Sequence, residues 1–65
     1  MIKVTGMNNK EFIINSDNIE KIEAVPETLI TLMNGNKYIV LETNDEIVDM
    51  VIRYKKKIFN GIIKV

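Results

Sequence analysis

The sequence contains no cysteine, no histidine and no tryptophan, and Ser16 is its only serine. Serine–histidine and cysteine–histidine nucleophiles, thiolate and imidazole metal ligands, and disulfides are therefore all excluded. An excess of one charge is also missing, because nine Lys and Arg residues balance nine Asp and Glu residues. Broad nucleic-acid binding depends on a basic surface, which this balance disfavours. We therefore expect no enzymatic activity, no cofactor, no metal and no nucleic-acid partner.

Long apolar segments are lacking too. The longest uninterrupted apolar run is four residues, at positions 38–41, whereas a transmembrane helix needs about 20. The first residues alternate apolar and polar side chains and carry no apolar targeting segment. We expect a cytoplasmic protein without membrane insertion.

The chain is short, and its length raises the question of what stabilises it. Sixty-five residues form a single domain, residues 1–65, and the core of such a domain contributes about 3–5 kcal/mol. Small domains supplement this with disulfides, metals or self-association, and the first two are unavailable here. Since 46% of the residues are hydrophobic, the composition predicts a homo-oligomer.

Alternating apolar and polar residues, separated by turn-forming residues, predict a series of short strands. The strongest hairpin signal is Asn34-Gly35, for which we predict a two-residue type I′ turn. In the register that this turn sets, both faces of the hairpin are apolar, so we expect it to be covered on two sides. The predicted strands lie at about 2–5, 11–14, 20–25, 28–33 and 36–42.

A helix is predicted at about 44–59, after the strands. Thr43 and Glu46 form a capping box at its start, and Asn60-Gly61 is a stop signal. The fold class is therefore α+β: a small antiparallel β-sheet or partly open barrel of about five strands, followed by one C-terminal helix.

The predicted helix has two apolar stripes, which together span roughly 200° where a core-facing helix needs about 100°. The inner stripe is expected to face the core; the second, which we call the outer stripe, needs another cover. Either residues 61–65 fold back over it or a second chain does, which makes the outer stripe a candidate oligomer interface. The inner stripe comprises Ile47, Met50, Val51, Tyr54 and Ile58, and the outer stripe comprises Val48, Ile52 and Phe59.

One basic cluster lies near the end of the predicted helix. A solvated helix end that matches the helix dipole is the ordinary explanation for such a cluster. The alternative is a surface that binds an acidic partner. We name this candidate partner-binding surface the basic end; it comprises Arg53, Lys56 and Lys57.

Residues 26–42 contain the pattern P-x-T-x-I-T-L-x-N-G-x-K-[YF]-x-V-x-E. Together with residues 1–5 and Ile19-Glu20, this stretch resembles the FlbD family of short bacterial flagellar proteins, also called the swarming motility protein SwrD family. The likeness covers nearly the whole chain. It implies a non-enzymatic accessory protein that supports motor function and swarming motility through protein–protein contacts. It further implies motor or stator components as partners and a location near the flagellar basal body.

One segment departs from the family pattern. The family commonly follows its first strand with Thr-Arg-Leu-Asn-Gly, whereas this chain has Thr5-Gly6-Met7-Asn8-Asn9. Gly6 therefore stands where the family has an arginine, which puts any contact made by that arginine in doubt.

The alternative function is a small dimeric RNA-binding regulator of carbon storage regulator type. Such proteins also have five strands followed by a helix, so the likeness is one of architecture. RNA binding would need basic groups on exposed strand edges. Here the lysines of the strand region are scattered and outnumbered by acids, which favours the flagellar function; they are Lys3, Lys10, Lys21 and Lys37.

Overall fold

The computed structural model describes the backbone of residues 1–64 and the side chains of residues 1–59. Five antiparallel strands are followed by one long helix, which confirms the predicted α+β fold class. A single turn of 3-10 helix at Ser16–Asn18 joins the second strand to the third. The elements are β1 (Ile2–Thr5), β2 (Glu11–Ile14), β3 (Ile19–Ala24), β4 (Thr28–Leu32), β5 (Lys37–Val40) and α1 (Asn44–Lys64).

The strands form two sheets, β1-β2 and β3-β4-β5, which meet at one place. Gly6 forms an antiparallel bridge with Val40, and the Leu41 N–H donates a hydrogen bond of 2.8 Å to the Thr5 carbonyl. β1 therefore lies beside β5, and the strand order across both sheets is 2-1-5-4-3. β2 and β3 are the outer strands of this order, which makes the structure a partly open barrel.

Aliphatic side chains from four strands and the helix fill the barrel. Successive residues of a strand point to opposite faces, so the inward positions are every second residue. Ile47 comes from the first turn of α1 and is fully buried among the strand residues. The buried core comprises Ile2, Val4, Ile14, Ile30, Val40 and Ile47.

The hairpin between β4 and β5 has a three-residue loop, so the predicted two-residue type I′ turn is wrong. The Leu32 N–H donates to the Asn36 carbonyl at 2.8 Å, and the Gly35 N–H donates to the Leu32 carbonyl at 2.9 Å. A type I′ turn needs two residues with positive φ, but in this loop only Gly35 has one, at +91°. The geometry is that of a turn followed by a left-handed residue, which is the next most common hairpin loop.

The extra loop residue shifts the strand pairing by one position. Leu29 faces Ile39 and Thr31 faces Lys37, whereas the two-residue turn would have paired Leu29 with Val40. A shift of one residue exchanges the two faces of a strand, so Val40 points inward. The outward face carries Ile39, which is 47% exposed. On this outward face Thr31 of β4 is buried, whereas Ile39 of β5 is exposed. The prediction of cover on both faces therefore fails for β5.

The loop between β1 and β2 repeats the same construction. The Gly6 N–H donates to the Lys10 carbonyl and the Asn9 N–H donates to the Gly6 carbonyl, both at 2.9 Å. Asn9 holds the left-handed position, with φ of 64°. In each loop the side chain of the middle residue, Asn8 or Asn34, accepts a 3.0 Å hydrogen bond from the N–H two residues further on. Two similar stretches of sequence thus encode one turn twice.

The helix begins as predicted but extends further. The Glu46 N–H donates to the Thr43 hydroxyl at 3.2 Å and the Thr43 N–H donates to the Glu46 carboxylate at 2.8 Å, which confirms the capping box. The predicted end near residue 59 is wrong, since α1 continues through Asn60-Gly61 to Lys64. A helical glycine costs only about 1 kcal/mol. Because the backbone through Lys64 is helical, it does not fold back over the outer stripe; Val65 lies outside the described residues.

A carboxylate clasp holds β1 against the end of β5. The Glu42 carboxylate accepts one hydrogen bond from the Thr5 N–H and one from the Thr5 hydroxyl, both 2.8 Å long. Burial raises the pKa of the Glu42 carboxyl, but the hydrogen bonds from Thr5 outweigh it, so the net pKa lies below its ordinary value. The ionised form of Glu42 therefore stabilises the contact between the two sheets.

We predict that Gly35→Ala lowers the free energy of unfolding by about 1–2 kcal/mol, because an L-residue with a side chain is disfavoured in the left-handed region. No atom lies within 4 Å of the position that the added Cβ would take, so the loss comes from backbone strain alone. Gly35→Asn is the matched control, since Asn9 occupies the equivalent position in the first loop. Urea unfolding should show a clearly smaller loss for the Asn variant; equal losses would contradict this account.

We predict that Glu42→Gln lowers the free energy of unfolding at pH 7 by about 1–2 kcal/mol, because an amide accepts weaker hydrogen bonds than a carboxylate. The pKa of Glu42 is lowered in the folded state. Its contribution is therefore complete above about pH 4.5 and is lost as the pH falls further. In urea unfolding between pH 3 and 7, the difference between the two proteins should close at the acid end. Glu27→Gln, at an exposed carboxylate, should show no such difference; a gap that persists at pH 3 would refute the clasp.

Candidate protein-interaction surfaces

The inner stripe of α1 faces the barrel along the first half of the helix. Ile47 is fully buried, and Met50 and Val51 pack partly buried against the core. Tyr54 is half-buried, while Ile58 is exposed. The core therefore uses the predicted inner stripe up to Tyr54, and the helix continues beyond the body of the barrel. The long dimension of 41 Å against 23 and 19 Å reflects this projection.

The outer stripe lies on the surface. Val48 and Ile52 are each 46% exposed, and Phe59 is 62% exposed. Three large apolar side chains are thus exposed along one side of the helix. Exposed apolar patches mark interaction sites on protein surfaces. The outer stripe remains a candidate interface.

An apolar groove runs between the outer stripe and the sheet. It has a volume of about 230 Å³. The Ser16 hydroxyl beside it is buried and has no hydrogen-bond partner among the described residues. We call this the helix groove; it is lined by Ser16, Ile19, Ile22, Val48, Val51 and Ile52. Sequence reasoning missed it because half of its wall comes from β3 and the 3-10 turn, which no periodicity connects with the helix.

The basic end is only partly neutralised. The Arg53 Nε atom lies 2.9 Å from the Asp49 carboxylate, one helical turn away. Lys55 instead reaches Asp17, with 3.4 Å between Nζ and Oδ1. Lys56 and Lys57 are exposed and form no ion pair with any side chain that the structure describes. The exposed ion pairs of Arg53 and Lys55 contribute little to stability. A partner could therefore replace them, and it could also contact Lys56 and Lys57.

A second surface lies at the loop end of the β1-β2 hairpin. The rings of Phe12 and Tyr38 stack at a tilt of 48°, with 5.4 Å between their centroids. Met7 and Ile39, both exposed, extend the apolar area on either side. We call this surface, comprising Met7, Phe12, Tyr38 and Ile39, the aromatic groove. It brings together two separate hairpins, so it can be found only once the strand pairing is known.

The described residues offer apolar and charged surfaces and little else. They contain no group of three or more metal-ligating side chains that could hold a metal ion. Within the same residues, no helix is long and apolar enough to cross a membrane. The apolar and charged surfaces described above are suited to binding through apolar contact and charge.

A comparison with protein families decides the family of this chain. The family model described as "FlbD: Flagellar and Swarming motility proteins" matches residues 1–59 of the 65. The chain is a member of the FlbD family. This confirms the resemblance found in the sequence and connects the chain with flagellar and swarming motility. No curated protein and no solved structure matches it.

At Gly6, where this FlbD-family protein departs from the family pattern, there is little room for a side chain. Gly6 is buried where the two sheets meet. A Cβ atom at this position would lie 3.1 Å from the Asn8 side-chain oxygen and 3.4 Å from a ring carbon of Phe12. An arginine here would therefore require the first loop and the aromatic ring to shift slightly, so the loop of this member is adapted to glycine.

We predict that the two stripes of this FlbD-family helix respond differently to the same truncation. Ile47→Ala should lower the free energy of unfolding by about 2–4 kcal/mol, because it opens a cavity in the core. Ile52→Ala should cost less than about 1 kcal/mol in dilute solution, because Ile52 is half-exposed. Urea unfolding of both variants at low protein concentration provides the measurement. Similar losses would show that the outer stripe belongs to the monomer core.

Proposed function

We propose that this protein is a non-enzymatic accessory protein of the bacterial flagellum, which supports motor function and swarming motility by binding other motor proteins. The observation that carries this proposal is the FlbD family match over residues 1–59. Its partners would be components of the motor, among them the stator. A cytoplasmic position beside the basal body is part of the same proposal.

The aromatic groove is the surface that we assign to the motor partner. Several residues of the family-like stretch 26–42 have structural tasks: Ile30 and Val40 fill the core, Gly35 forms the turn and Glu42 forms the clasp. Tyr38 and Ile39 lie in the same stretch but are exposed. Aromatic residues with neighbouring apolar side chains are frequent contributors to the binding energy of protein interfaces. The groove therefore fits an apolar segment of a partner protein.

The basic end supplies a second element of recognition. Exposed lysines at one end of a neutral protein attract an acidic surface and orient the approaching partner. Lys57 and Arg53 lie about 40° apart on the helix at 100° per residue, so they form one basic face. An acidic surface on the motor component is thus the chemistry that we expect opposite the helix.

We predict that deletion of the gene lowers swimming speed in viscous medium while flagellar filaments are still assembled, because the protein acts on motor performance. Wild-type protein should restore speed. Ile39→Lys should fail to restore it, since the substitution places a charge in the aromatic groove. Ile13→Lys is the matched control, because Ile13 is also an outward apolar strand residue, 63% exposed, and lies outside the groove.

The readout is the speed of tethered or swimming cells at equal protein levels, checked by immunoblot. Normal torque in the deletion strain would overturn the proposed function. Tight, sequence-selective RNA binding in gel shifts at about 0.15 M salt would also overturn it, since exposed charges that act non-specifically are largely screened at that ionic strength.

A further inference from the structure

We propose that the outer stripe is the interface of a symmetric homodimer, in which two α1 helices pack antiparallel about a two-fold axis that passes midway between Ile52 and Lys55. Phe59 of each copy then enters the helix groove of the other. The occupant of the groove is thus a second copy of this chain. The proposal rests on the geometry of α1 and is independent of the flagellar function.

The spacing of the outer stripe suits pairing with another helix. Val48, Ile52, Lys55 and Phe59 are separated by four, three and four residues, which is the spacing of the contact positions in a coiled coil. At 100° per residue these four side chains lie within about 60° of one another. The stripe is therefore a straight seam along the helix, as a partner helix requires.

The distribution of charge on α1 selects the antiparallel direction. Its first half is acidic, with Asp45, Glu46 and Asp49, and its second half is basic, with Arg53 and Lys55 to Lys57. A parallel pair would place like charges side by side. An antiparallel pair places each acidic half against a basic half, which favours association. A two-fold axis produces this complementarity from a single sequence.

The flanks of the seam agree with this register. When Val48 faces Phe59 of the partner subunit, Asp49 comes beside Lys56 of the partner subunit. On the other flank Val51 comes beside Ile58 of the partner subunit. Both pairs occur twice by symmetry. One flank of the interface is thus ionic and the other apolar.

Phe59 and the helix groove are complementary in size. Phe59 is 62% exposed, and the groove beside Val48 has a volume of about 230 Å³. An apolar cavity of about 150 Å³ accommodates benzene, so the groove has room for a phenyl ring. Val48 and Phe59 are eleven residues apart, or about 16 Å along the helix. Each dimer would therefore contain two such insertions, one at each end of the seam.

Lys55 is the one charged residue in the seam. Its amine already lies 3.4 Å from the carboxylate of Asp17, so the charge is directed towards its own 3-10 turn. The aliphatic part of the side chain is left to cover Ile52 of the partner subunit, as long basic side chains commonly do at interfaces. Lys55 therefore enters the seam without an unpaired charge.

The proposed interface is small. The seam from Val48 to Phe59 is about 16 Å long, so the interface that it forms is smaller than the 1,200–2,000 Å² of a standard interface. We therefore expect dissociation in the micromolar range, so that monomer and dimer interconvert at ordinary working concentrations.

Analytical ultracentrifugation between about 1 and 200 µM tests the proposal. The wild-type protein should change from 7.5 kDa to about twice that mass. Phe59→Ser and Ile52→Lys should stay monomeric up to the highest concentration, with the wild-type circular dichroism spectrum. Ile13→Lys, at an exposed apolar residue of the sheet, should still form dimers. A wild-type protein that stays monomeric, or a Phe59→Ser variant that still dimerises, would overturn the proposal.

Charge reversal tests the direction of the helices. Lys56→Asp should weaken the dimer about tenfold, and adding Asp49→Lys in the same chain should restore most of the loss. A parallel dimer would show neither the loss nor the rescue, because each residue would face its own copy across the axis both before and after the reversal. Loss of dimerisation in Phe59→Ser combined with normal motility would separate this proposal from the flagellar function.

Discussion

The junction between β1 and β5 is the contact on which the rest of the structure depends. Within residues 1–64, the backbones of the two sheets are joined at this place alone, where Gly6 bridges Val40 and the Leu41 N–H donates to the Thr5 carbonyl. The Glu42 carboxylate strengthens the same place with two hydrogen bonds to Thr5. Glycine fits there without a shift of its neighbours, since a Cβ would lie 3.1 Å from the Asn8 side-chain oxygen and 3.4 Å from the Phe12 ring. The Gly6–Val40 bridge, the Glu42 carboxylate and the loop that follows Gly6 thus belong to a single contact.

The core between the two sheets and the helix is too small to bury all the apolar side chains of the chain. Among residues 1–59, whose side chains the structure describes, six aliphatic side chains are buried, and of these only Ile47 comes from the helix. Some of the remaining apolar residues pack partly buried against the core, and others are exposed, among them the outer stripe and three residues of the aromatic groove. In a chain of 65 residues the hydrophobic content therefore produces exposed apolar surfaces instead of a larger interior. This is the physical link between the size of the protein and the proposed function, which depends on contact with partners.

The positions of the strands and the start of the helix could be predicted from the sequence. The strand register and the contacts between distant residues could not. Strand positions, the Thr43–Glu46 capping box and the inner stripe follow from local periodicity and capping chemistry, which act within a few residues. The register of the second hairpin was wrong because Asn34-Gly35 fits two loop types, and the choice depends on whether Asn34 takes a positive φ. The clasp joins residues 37 positions apart, so no local signal marks it. The aromatic groove was missed for the same reason, whereas the outer stripe, which lies on one helix, was identified.

Although the net charge of the sequence is zero, the charged residues of α1 are arranged in order along the helix. Acidic and basic residues cancel over the whole chain, yet along α1 they are separated into an acidic first half and a basic second half. This order stabilises the helix by matching its dipole, which suffices for a monomer. Placed beside an apolar seam, the same order becomes self-complementary under a two-fold rotation. In the proposed dimer, Arg53 and Lys57 stay on the far side of each helix from the seam, and two aromatic grooves become available at once. A partner with repeated subunits would then be held by two contacts, and its effective affinity would exceed that of one contact.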